Sequence, residues 1–155
     1  MIFALLLACS SNDGTADALA DYMAAVDAID TLVAEHATAV DACTTAEQVT
    51  PVEDAYITDW SSRKSALADA TDMIGQCAMG DGDDAAMTEA MDTMGTLDTT
   101  VAAHVSEHAG HADYNECRSA ETDHGAEMGT MTATLRADHD AWADSIECGM
   151  KEMAM

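Results

Sequence analysis

Residues 28–36 read AIDTLVAEH and residues 96–104 read TLDTTVAAH, and the reading of this pair decides the fold. At an offset of 68, Asp30, Thr31, Val33, Ala34 and His36 meet Asp98, Thr99, Val101, Ala102 and His104. The cysteines follow the same plan more loosely: Cys43 and Cys117 close the first segment of each half, Cys77 and Cys148 the second. Such a repeat predicts a duplicated helical hairpin, and two hairpins make an all-α, up-down-up-down four-helix bundle. The hairpins span about 15–79 and 84–149.

Working outward, Tyr22, Val26, Ile29, Val33, His36, Val40 and Cys43 recur at alternating spacings of four and three, which is the inward stripe of one helix. Thr15 is its expected cap. Thr50-Pro51-Val52-Glu53 reads as a capping box with proline at the first helical position, so a second helix is expected from Pro51 to about Cys77. Gly80-Asp81-Gly82-Asp83 is read as a turn, since no glycine or glutamate falls where a calcium loop needs it. A third helix is expected over about 84–117, and a fourth from about 119–123 to Gly149.

Thirty acids face five bases, for a formal charge of −25. Phosphate binding needs a basic face, so nucleic acid is excluded as a partner. The acidic, lysine-poor balance suits a salt-rich habitat that screens self-repulsion, or a surface that recruits cations. The chain opens MIFALLLACSSNDG, and Leu6-Leu7-Ala8-Cys9 resembles the lipobox of bacterial lipoproteins, although no Lys or Arg precedes the apolar run. The resemblance implies a signal peptide over 1–8, a lipid on Cys9 that makes the membrane a partner, and a linker over 9–14. Ser10 and Ser11 then imply retention at the outer membrane.

The four remaining cysteines allow three pairings in an exported chain. Helices of about 28 residues are roughly 40 Å long, far beyond the reach of a bridge between opposite ends. The expected disulfides are therefore Cys43–Cys117 and Cys77–Cys148.

His104, His108 and His111 continue the inward stripe of the third helix. Helix four carries His124, Met128 and Met131 inward, and His36 reaches the same bundle half from helix one. The expected register sets His111 level with His124, His108 with Met128 and His104 with Met131, ringed by Glu107, Asp123 and Glu127. Imidazole with thioether suits copper, whereas imidazole with carboxylate suits zinc, iron or manganese. The leading expectation is a copper site formed by His36, His104, His108, His111, His124, Met128 and Met131. Iron or haem are the alternatives.

The closing GMKEMAM places Met150, Met153 and Met155 on a short tail over 150–155, which resembles the methionine runs of bacterial copper-handling proteins and implies a secondary site. His104-x3-His108 and His139-x4-Asp144 resemble two iron-ligand motifs of hemerythrins, but the second helix offers no histidine for the rest of that pattern. No catalytic set stands out, and an enzyme is not expected. The rival expectation is a structural or interaction lipoprotein of the cell envelope with no ligand.

Overall fold

The computed structural model describes the backbone of residues 12–77, 83–110 and 113–153, and the side chains of 16–76, 85–110 and 113–144. Among them the chain forms four helices and no strand: α1 (Asn12–Asp41), α2 (Ala46–Cys77), α3 (Asp83–His108) and α4 (Tyr114–Met153). Helix α1 packs against α2 and α4, α3 against α4, and α2 more slightly against α3. The result is a four-helix bundle. No described helix is long and apolar enough to cross a membrane.

The inward stripes explain the packing. Tyr22, Val26 and Ile29 of α1, Tyr56, Trp60, Leu67 and Ile74 of α2, Leu97 and Val101 of α3, and Met128, Leu135 and Trp142 of α4 form one buried cluster. Each large apolar side chain so buried contributes about 1.5–3 kcal/mol. Few basic residues are available to tie the acidic helices together, and Lys64, Arg118 and Arg136 are used between helices. Arg136 of α4 pairs with Asp27 and Asp30 of α1, and Lys64 of α2 pairs with Asp98 of α3 at 2.7 Å. Asp98 also accepts a hydrogen bond from Trp60 Nε1 at 3.1 Å.

Five helix boundaries differ from the sequence expectation, the first being that of α1, which begins at Asn12, inside the span expected as linker and ahead of the Thr15 cap. Helix α2 starts one turn early, because Gln48 Oε1 caps the backbone N–H of Thr44 at 2.7 Å. Thr45 and Gln48 thus stand where Thr50 and Glu53 were expected, and Pro51 lies inside the helix. Helix α3 ends at His108, where Gly110 N–H bonds the Glu107 carbonyl at 2.9 Å in a tight turn. Helix α4 starts at Tyr114, capped by the Asp113 carboxylate on Asn115 N–H at 2.8 Å. Cys117 therefore opens α4 and does not close α3. Helix α4 also runs to Met153, so Met150 and Met153 are helical rather than on a frayed tail. Their side chains, and Met155, lie outside the described residues.

A second buried cluster of Val40, Cys43, Val49 and Cys117, with Val52 and Tyr114 against it, covers the bundle end where α1 meets α2. Tyr114 O–H ties it down by donating to the Val40 carbonyl at 2.9 Å. Cys43 and Cys117 do share this end, but the expected bridge between them is not formed: both are free thiols. The Cys43 thiol instead turns back to the Ala39 carbonyl of its own helix, 3.4 Å away. In such apolar surroundings a neutral thiol is stable as a small hydrophobe. The side chains of Cys77 and Cys148, and all of Cys9, lie outside the described residues.

Candidate metal centre

Directly beneath that apolar cap, each helix sends one potential ligand to a common point: His36 from α1, Glu53 from α2, His104 from α3 and Glu121 from α4. Their ligand atoms all lie within 4.8 Å of one another, and all four residues are buried. His36 Nε2 is 3.3 Å from His104 Nε2, 3.3 Å from Glu53 Oε1 and 3.0 Å from Glu121 Oε1. His104 Nε2 lies 2.8 Å from Glu121 Oε1 and 3.9 Å from Glu53 Oε2. His108, one turn on from His104, adds a ring nitrogen 2.9 Å from Glu53 Oε1.

These separations are informative. A tetrahedral ion with bonds of about 2.0–2.1 Å holds its ligand atoms about 3.3–3.4 Å apart. The carboxylate oxygens of Glu53 and Glu121 are buried yet accept no aligned hydrogen bond, despite the ring nitrogens around them. Buried carboxylates left in that state are costly, and a cation satisfies several acceptors at once. The group is thus chemically able to hold a metal ion.

The electrostatics show how the site balances without one. Burial alone would lower the His36 pKa, but Glu121 and Glu53 outweigh it and raise the value to about 9. Burial likewise opposes ionisation of the glutamates, yet His108 and His36 beside Glu53, and His104 and His36 beside Glu121, hold both carboxyls near about 2. His124 goes the other way, to about 4, through burial and then the neighbouring His104. It is therefore neutral, and its Nε2 shares a hydrogen bond of 2.8 Å with the Tyr56 hydroxyl. The Tyr56 pKa is raised by burial and the two glutamates, so it remains a donor. Ring stacking rigidifies the assembly, with Tyr56 on His36 at 4.0 Å and His124 on His104 at 3.9 Å.

Of the residues expected from sequence, His36, His104, His108 and His124 are brought together and buried. Met128 lies in the apolar core and Met131 is half-buried against it. The reason is register. Because α3 stops at His108 and α4 starts at Tyr114, His104 lies level with His124, which leaves Met128 about one turn and Met131 about two turns below the stacked histidines. The expected ring of Glu107, Asp123 and Glu127 is exposed. His111 lies outside the described residues. His139 is separate, half-buried against Tyr22 and 3.1 Å from Asp140.

Glu53 and Glu121 are the potential ligands that the sequence reading missed, and Tyr56 the missed neighbour. A signal was present: extending the 68-residue offset beyond the histidines pairs Glu53 with Glu121 and Tyr56 with His124. No family model, curated protein or solved structure matches the chain.

Proposed function

We propose that this is a metal-binding lipoprotein of the cell envelope, holding a divalent first-row ion at His36, Glu53, His104 and Glu121. The observation that carries the reading is the convergence of two imidazoles and two buried carboxylates, one from each helix, with all their ligand atoms within 4.8 Å of one another. Copper was expected because thioethers were expected among the ligands. With carboxylates in their place the donor set favours zinc, iron or manganese, and the ligand separations favour zinc first. Four protein donors leave a tetrahedral ion no open position, which supports sequestration or delivery over catalysis. A bare ion is favoured over haem because the rings stack on one another, with Glu53 and Glu121 between the helices. Lipid on Cys9 would place the bundle at the outer membrane, where its charge of −25 gathers cations.

The test is the metal content of the untagged protein after zinc, iron(II) and copper are offered separately. About one ion per chain is expected in the parent, with zinc held against dialysis. The Glu53→Gln/Glu121→Gln variant should retain none while keeping its helicity. If the parent retains none of the three metals, the cluster is a structural ion-pair network, and the envelope protein acts without a ligand.

A further inference from the structure

The buried centre adjoins a surface cleft. Between α1 and α4 lies a cavity of about 410 Å³ whose walls include Ala37, Asp41, Arg118, Ser119 and Thr122, and Glu121 also lines it. Glu121 is only 7 % exposed, yet it touches both this cleft and the His36 and His104 rings. The bundle end above is closed by the apolar cap of Val40, Cys43, Val49 and Cys117. Below, the apolar core begins at Trp60 and Met128. A hydrated cation does not cross either layer, because shedding water without replacement ligands is prohibitive.

We infer that this cleft is the route by which the metal ion reaches and leaves the site, with Glu121 passing it from the cleft to the histidines. The inference rests on the metal-binding reading above. The walls supply what a partly dehydrated divalent ion needs: the Asp41 carboxylate and the hydroxyls of Ser119 and Thr122. Arg118 at the mouth is neutralised by Asp41, its Nε 2.8 Å from the carboxylate. Both side chains are more than half exposed. Such a pair is weak enough to open and close readily, so the mouth is a movable ion pair rather than a fixed positive barrier.

The experiment is stopped-flow uptake of Zn²⁺ and its release to a chromophoric chelator. Ala37→Trp and Ser119→Trp fill the cleft from opposite walls, and Ser106→Trp on the exposed face of α3 is the control. Uptake and release should both slow by about tenfold or more in each cleft variant, leaving the affinity unchanged. The control should match the parent. Arg118→Glu should accelerate uptake at low salt, with the gain shrinking as salt rises. This variant adds no bulk to the cleft and decides the matter if a tryptophan disturbs the fold. Parent-like rates in the cleft variants, or equal slowing in Ser106→Trp, overturn the route while leaving the site intact. A parent that takes up no metal removes the site itself.

Discussion

In the metal-free protein, the contact between Glu121 and His36 should appear as a pH-dependent stability that the Glu121→Gln variant largely loses. The His36 pKa is raised to about 9 in the fold, against about 6.5 in the unfolded chain. Its contribution is therefore complete below pH 6.5 and is lost as pH rises through 9. Linkage gives on the order of 2–3 kcal/mol at pH 7 and well under about 1 kcal/mol at pH 9, a loss of about 2 kcal/mol across that interval. The depressed Glu121 pKa reports the same ion pair from its other side, so it is counted once, and it titrates near 2, outside the interval. In Glu121→Gln only Glu53, 3.3 Å from the ring, holds the proton on His36. The loss between pH 7 and 9 should then shrink to about 1 kcal/mol or less. The assay is urea unfolding in chelator, followed by far-ultraviolet circular dichroism at both pH values. Comparing slopes within each protein cancels the fixed cost of the substitution and the titration of groups remote from Glu121. Parallel pH profiles for parent and variant would refute the reasoning.

Three further outcomes are expected. Saturating zinc at about a hundred times its Kd should add about 2.7 kcal/mol, raising Tm by about 5–10 °C in a thermal scan, with chelator reversing the shift. Met128→Leu, at a fully buried position in the apolar core, should cost less than about 1.5 kcal/mol and leave zinc affinity unchanged in a competition titration; a tenfold loss of affinity would return the thioether to the ligand set. Asp138 is buried with one carboxylate oxygen unpartnered, and burial, then Glu89, raises its pKa to about 6. Its ionisation costs stability as pH rises from about 4 through 6, so Asp138→Asn should stabilise the fold by about 1–3 kcal/mol at pH 8 and give little at pH 4 by urea unfolding.

The four-helix architecture was legible because apolar residues recur at helical spacing over long, proline-poor stretches. His36 and His104 were legible because they sit on those stripes and match at the 68-residue offset. The glutamates were not. A buried glutamate spends the same letter as a surface one, and in a chain with 30 acids its presence on a stripe carries little contrast. Glu53 was further disguised by Thr50 and Pro51, which imitate a helix start. Yet Val49, Glu53, Tyr56 and Trp60, like Cys117, Glu121, His124 and Met128, keep the spacing of a buried face. The methionines were misplaced for a different reason. Depth in a bundle depends on where the connecting turn falls, and the turn at Gly110 shifted the α3–α4 register by about two turns. The thiols at the bundle end were placed together correctly, but proximity at one end does not fix side-chain direction, and Cys43 turns to its own helix.

The most direct test of the His/Glu centre is X-ray absorption at the zinc edge of the loaded protein. The account predicts a first shell of nitrogen and oxygen alone at about 2.0–2.1 Å, with imidazole multiple scattering, and no sulfur at about 2.3 Å. A sulfur shell would contradict it, moving the ion away from Glu53 and Glu121 to the methionines or the free thiols.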